Sequence, residues 1–237
     1  MNRALRIAAV VVMCLPLALL FSAHPAYAPI VDPCKSAVSV GGSGFIVTVC
    51  PKGDGDALSS VGATITLTVR DNAGVGVAGI PKTDMWLVGC NDGLLLCGGS
   101  QGSLADRATN ALGQTTFSNE PNAGGCDTGL YVVAQGIVIQ QSGSCVPYCL
   151  PIASRSPDYK SAGAPGPAPC SGDVRCPDGK VSMADYNWFI THLRRADNPA
   201  ATYFACADFA QPFGQISLAD YSKFVVHYAG TGHACPL

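Results

Sequence analysis

The chain has 237 residues, a formal net charge of −2 and only 13% charged side chains, alongside 27 Gly and 17 Pro. A charge so close to zero lacks the basic footprint of a nucleic-acid-binding surface. Sparse charge with abundant Gly and Pro suits short strands separated by turns. The length leaves room for one domain of moderate size and one small one.

Residues 1–28 read as an export signal. Arg3 and Arg6 precede an apolar run over residues 7–21, and Ala26-Tyr27-Ala28 supplies the small-x-small pattern of a cleavage site. The run falls short of the roughly 20 residues that a membrane helix needs, and no later stretch is apolar enough to span. The mature chain is therefore expected to be secreted, or held at the cell surface through a partner, with no membrane span of its own.

Of 12 cysteines, only Cys14 lies in the signal. The others are Cys34, Cys50, Cys90, Cys97, Cys126, Cys145, Cys149, Cys170, Cys176, Cys206 and Cys235. In an exported chain disulfides are their default fate. Zinc would need CxxC-like clusters, and the sequence has none. Their number is odd, so one thiol is free or pairs between chains. Spacing offers Cys34–Cys50 and Cys90–Cys97 as hairpin staples, and Cys206–Cys235 as a clamp around the last helix. It does not fix the connectivity.

Residues 29–152 carry a β signal. Strands are expected over residues 45–49, 64–70, 85–88, 115–117, 130–134 and 137–139, where β-branched and aromatic residues cluster between turn residues. Residues 64–70 (Thr-Ile-Thr-Leu-Thr-Val-Arg) alternate polar and apolar, the period of a half-buried strand. Six or more short strands of this kind argue for a β-sandwich.

Two motifs in this region point to a family. Asp71-Asn72-Ala73-Gly74 ends a strand and leads into Val75-Gly76-Val77, and Thr109-Asn110-Ala111-Leu112-Gly113-Gln114-Thr115-Thr116-Phe117 opens another strand. Together they resemble bacterial Ig-like (invasin-type) domains over about 90 residues. The cysteine-bearing loop over residues 90–106 departs from that pattern. The resemblance implies a spacer or adhesion module.

Catalysis is poorly supported. A glycosidase needs two carboxylates facing each other across a cleft, yet the lone glutamate, Glu120, sits in a turn-like Ser-Asn-Glu-Pro-Asn. Asp84, Asp92, Asp106 and Asp127 all fall in turns or loops. No His occurs between residues 29 and 191, so a Ser-His-Asp triad would have to borrow one from the C-terminal region. The chain reads as a non-enzyme.

Residues 153–169 end in alternating Pro, Gly and Ala, the composition of a semi-rigid tether. Residues 170–237 then hold an internal repeat. Gly179-Lys180-Val181-Ser182-Met183-Ala184-Asp185-Tyr186 recurs 35 residues later as Gly214-Gln215-Ile216-Ser217-Leu218-Ala219-Asp220-Tyr221. Such periodicity marks one supersecondary unit used twice, here a loop followed by a short helix. Tyr186, Phe189, Ile190 and Leu193 fall at i, i+3, i+4 and i+7, as do Tyr221, Phe224, Val225 and Tyr228. Each helix thus gains one apolar face, and two such faces can pack together. His192 and His227 repeat in register and are expected on the solvent side.

A calcium loop places oxygens at positions 1, 3, 5, 7 and 12, with Gly at 6. In the first repeat Asp173, Asp178, Gly179, Lys180 (through its carbonyl) and Asp185 follow that order, with one extra residue near Cys176-Pro177. The second repeat keeps Asp208, Gly214 and Asp220 but has Phe213 where Asp178 stood. Ser182-x-x-Asp185 and Ser217-x-x-Asp220 also read as helix-capping boxes with no metal.

These residues resemble the type I dockerin repeat, a duplicated half-EF-hand, over nearly all of residues 170–237. The resemblance implies calcium as cofactor, in the first loop before the second, and a cohesin-like protein partner. Met183-Ala184 and Leu218-Ala219 would form the partner-binding positions, with polysaccharide-degrading or cell-surface assemblies as the setting. The expected fold class is mainly β with a small α module: an Ig-like sandwich plus a pair of loop-helix repeats. The alternative is a metal-free, disulfide-stapled structural or adhesion protein.

Overall fold

The computed structural model describes residues 30–51, 55–91, 93–97, 103–141, 143–158, 181–193, 207, 208, 210 and 213–228. The expected export signal, most of the expected linker and the first acidic loop, with Asp173, Asp178 and Lys180, lie outside them.

Ten strands and two helices follow one another along the described chain. The first antiparallel sheet joins β1 (Ala37–Val40), β3 (Ile65–Thr68) and β6 (Gln114–Phe117) in the order β1-β3-β6. The second joins β4 (Met85–Gly89), β8 (Leu130–Ala134) and β9 (Ile137–Val138) in the order β4-β8-β9. Alternation does the sorting. Ile65 and Leu67 are fully buried while Thr66 and Thr68 are half-buried, and Phe117, Met85, Leu87, Val132 and Ala134 join them in one core. These sheets share one core in a mainly β body that resembles an Ig-like domain.

Two turns fix the strand registers. Asp71 Oδ1 accepts from the N–H groups of Ala73 and Val75, both at 2.9 Å, and Gly74 closes the turn at φ +82°. Asn110 Oδ1 accepts from Leu112 and Gln114 N–H in the same way, with Gly113 at φ +74°. A Cβ at Gly113 would strike the Val69 carbonyl, so that position demands glycine both for its φ and for its close approach. These are the two motifs that carry the Ig-like resemblance.

Four strands were not anticipated: β1, β5 (Leu94–Leu96), β7 (Ala123–Gly125) and β10 (Ile152–Arg155). β5 and β7 pair antiparallel. β10 pairs parallel with β2 (Phe45–Thr48), matching Ile152 to Phe45 and Arg155 to Thr48. The strand therefore runs into the first residues of the expected linker, and its parallel partner lies about a hundred residues upstream. Local periodicity carries no trace of such a pairing.

The disulfides correct the hairpin staples. Cys34 bonds to Cys145 and Cys90 to Cys149, across 111 and 59 residues, with Cα separations of 4.7 and 6.0 Å. Neither Cys34–Cys50 nor Cys90–Cys97 forms. The reason is topological. After β9 the chain leaves the sheet in an excursion closed by a Gln140–Pro147 bridge, and returns to pair Leu150 with Leu130. That excursion carries Cys145 and Cys149 to the partners they meet. A Cβ at Gly129 would collide with Cys149 Sγ. Cys97 and Cys126 are also disulfide-bonded. The proposed Cys206–Cys235 clamp lies outside the described residues.

The two helices, α1 (Met183–His192) and α2 (Leu218–His227), pack on each other through the expected faces. Phe189 and Phe224 are fully buried and stack with centroids 4.9 Å apart. Tyr186 stacks on Tyr228 at 5.6 Å, and Tyr221 lies 6.3 Å from Phe189. Val225, expected in this stripe, is instead exposed. His227, expected on the solvent side, is buried, and His192 is half-buried with Nδ1 2.9 Å from the Trp188 carbonyl oxygen. Cys50, from the chain just after β2, lies in the same buried cluster as Phe189 and Phe224, and the described residues from Val31 onward belong to one compact unit.

Candidate functional site

The repeated loop-helix motif builds two equivalent helix starts. Ser182 and Ser217 are extended N-caps whose hydroxyls accept from Ala184 and Ala219 N–H, each at 3.2 Å. Asp185 and Asp220 reach back in turn. Asp185 Oδ2 accepts from Ser182 N–H at 2.8 Å, and Asp220 Oδ2 from Ser217 N–H at 2.7 Å. Both helices therefore begin with a full capping box in which Asp takes the place of Glu. Both carboxylates are fully buried, and each also lies where helix N–H groups favour negative charge.

Of the second loop, Asp208, Ala210 and residues 213–220 are among the described residues. Asp208, its first acid, is fully buried and accepts from Gly214 N–H through Oδ2 at 2.7 Å. Asp220, its last, accepts from Ala210 N–H through Oδ1 at 2.7 Å. Each acid bonds to a backbone N–H contributed from between them, and Gly214 adopts φ +106°. Asp208 thus reaches Gly214, and Asp220 reaches Ala210, within one loop. Phe213, in the place of Asp178, is 41% exposed and offers no side-chain oxygen.

Sequence reasoning missed the cation at this loop. Arg155, at the end of β10, donates from Nη1 to the Asp208 carbonyl and lies 3.5 Å from Asp208 Oδ2. Its guanidinium also covers the Phe213 ring, 5.0 Å from the centroid. Arg155 is itself buried. An arginine within an expected linker carries no motif, so only the β2–β10 pairing reveals it.

A second, looser link joins α2 to the segment after β2. Lys223 Nζ lies 3.4 Å from Asp56 Oδ2, and Thr48 N–H donates to the same oxygen at 3.1 Å. Partial burial works against the charge on Asp56, but the Thr48 hydrogen bond and the Lys223 charge outweigh it and hold the carboxyl below its ordinary range.

The expected partner-binding residues stand at matching places. Met183 and Leu218 are the first helical residues of α1 and α2, and are 57% and 71% exposed. Ala219 is exposed and Ala184 half-buried. Asp173, Asp178 and Lys180 lie outside the described residues, and among those described no three of His, Cys, Asp and Glu gather as a metal-holding group.

The acids of the sandwich hold loops. Asp127, buried, accepts from Asn91 N–H and Gly93 N–H through Oδ2, and from Asn91 Nδ2 and Gly129 N–H through Oδ1. Asp106 accepts from Thr116 Oγ1, Ser118 N–H and Asn119 Nδ2. A cleft of about 290 Å³ beside it is walled by Leu58, Lys82, Phe117 and Glu120 among others.

No protein-family model matches the chain, and no curated protein does. Solved structures show a distant likeness. The Lin-41 filamin domain is 16% identical over 53% of this chain and 96% of its own, with a TM-score of 0.27. Invasin, a bacterial integrin-binding protein, is 14% identical over 56% of this chain and 21% of its own, with a TM-score of 0.30. The comparisons give the dockerin resemblance no support. No helix among the described residues is long and apolar enough to cross a membrane. The disulfides belong to an oxidising compartment, in keeping with an exported chain.

Proposed function

We propose that this chain is an exported, non-catalytic docking protein, in which an Ig-like sandwich presents a duplicated loop-helix module to a protein partner. One observation carries the reading. The two repeats end in helices that start identically, each with a buried capping Asp and an exposed apolar residue, Met183 or Leu218, beside it. Exposed apolar residues in matched positions are what a protein partner could cover. The sandwich acids Asp106 and Asp127 are committed to loop hydrogen bonds, which suits a scaffold rather than a reaction centre.

Calcium belongs to this reading at the first loop. Asp173, Asp178 and Asp185 would supply side-chain oxygens and Lys180 its carbonyl, and the bound ion would supply the charge that orders an acidic loop. A cohesin-like surface is the partner that fits the dockerin resemblance. The test is a calorimetric calcium titration of the mature chain, with melts in calcium and in chelator. Binding in the micromolar range with a higher Tm supports the reading. Absence of both heat and shift removes calcium from it.

A second reading has its own support. Both capping boxes are complete with Ser and Asp alone, so the module can be held without metal. In that case the chain is a disulfide-stapled adhesion or surface protein, and reduction rather than chelation unfolds it.

A further inference from the structure

The two loops share a sequence plan but not a chemistry. In the second, the residue aligned with Asp178 is Phe213, which removes one oxygen from a site that calls for six to eight. The guanidinium of Arg155 covers that phenyl ring and pairs with Asp208, the first acid of the same loop. A cation is therefore already lodged between the loop's first position and its fifth, and it comes from the sandwich.

We infer that Arg155 is the resident cation of the second loop: it takes the place of a metal ion, confines calcium to the first loop and fastens the C-terminal module to strand β10. The confinement rests on the calcium reading of the first loop, whereas the fastening does not. The chemistry is consistent at each contact. Arginine keeps its charge when buried and presents a planar fork that suits a carboxylate and an aromatic face together. It donates both to the Asp208 carbonyl and toward the carboxylate, so side chain and backbone of that residue are held by one group. A divalent ion entering the loop would meet this fixed positive charge and only two carboxylates, Asp208 and Asp220. Those are already bonded to Gly214 N–H and to Ala210 and Ser217 N–H.

The test uses the mature chain as wild type, R155M, D208N and the double variant. In chelator, each single change should lower Tm by roughly 10 °C, since each strands a buried partner. The double variant should fall no further than the worse single one. Losses that simply add would overturn the fastening role. Should R155M not fold, R155K takes its place in the cycle, because Lys keeps the charge but loses the fork and the stacking plane. Calorimetric titration of the wild type with calcium chloride should give one equivalent, and two would overturn the confinement. A chain that binds no calcium yet shows the coupled cycle would fail the metal reading alone and leave Arg155 as the fastener.

Discussion

Phe224→Ala tests whether module and sandwich are one cooperative body. Phe224 is fully buried, stacks on Phe189 at 4.9 Å, and belongs to a cluster that includes Cys50 from the sandwich. Truncating a buried phenylalanine costs about 3–5 kcal/mol, from lost transfer energy and the cavity left behind, and the lost ring pair adds to it. In a chain of this size each kcal/mol moves Tm by about 2–4 °C, so the expected drop is roughly 6–20 °C. Urea unfolding should be followed by far-UV circular dichroism, and by tryptophan fluorescence, which reports Trp86 in the sandwich and Trp188 in α1. The two probes should shift together, because Arg155–Asp208, Lys223–Asp56 and the Cys50 contact all tie the two parts. Val226→Ala, at a residue 70% exposed on the same helix, should change stability by less than about 0.5 kcal/mol. The reasoning is refuted if Phe224→Ala costs no more than Val226→Ala, or if a minor transition moves while the main one stays in place.

The Asp56–Lys223 pair should add a small acid-side term. Its carboxyl is held below its ordinary range in the folded chain, so the stabilisation is present above the unfolded pKa and fades as pH falls through the folded one. Asp56→Asn should flatten the loss of stability as pH falls below about 4, by less than about 1 kcal/mol because both groups are part-exposed; an unchanged acid limb would remove the pair from the account. Ser217→Ala should cost about 1 kcal/mol through loss of the N-cap, visible as a lower urea midpoint, and Ser182→Ala should do the same at α1. Replacing Cys34 and Cys145 together with serine should cost roughly 2–5 kcal/mol, since that bond closes a loop across 111 residues. A double variant as stable as the parent would mean the excursion after β9 is held by other contacts.

Both helices were legible because their causes are local. A cap, an acid three residues on and apolar residues at i, i+3, i+4 and i+7 lie within about ten positions of each other, and the repeat states them twice. β3, β4 and β8 were legible for the same reason, as alternation or apolar runs between turns. β1, β5 and β7 are each held by a partner strand distant in the chain, β3 for β1 and each other for β5 and β7, so local pattern alone does not mark them. β7, Ala-Gly-Gly, carries no strand propensity at all and exists because β5 lies beside it.

The sequence by itself determined the export signal pattern, the turns at Asp71–Gly74 and Asn110–Gly113, and the twin helix starts with their capping acids. Each follows from residues that act on their immediate neighbours in the chain. Only the tertiary structure decided which cysteines meet, that β10 lies parallel to β2, and that Arg155 reaches Asp208 and Phe213. Those outcomes depend on which distant segments the closing of two sheets brings together. No local pattern encodes that, because the free energy that selects it comes from the packed core as a whole.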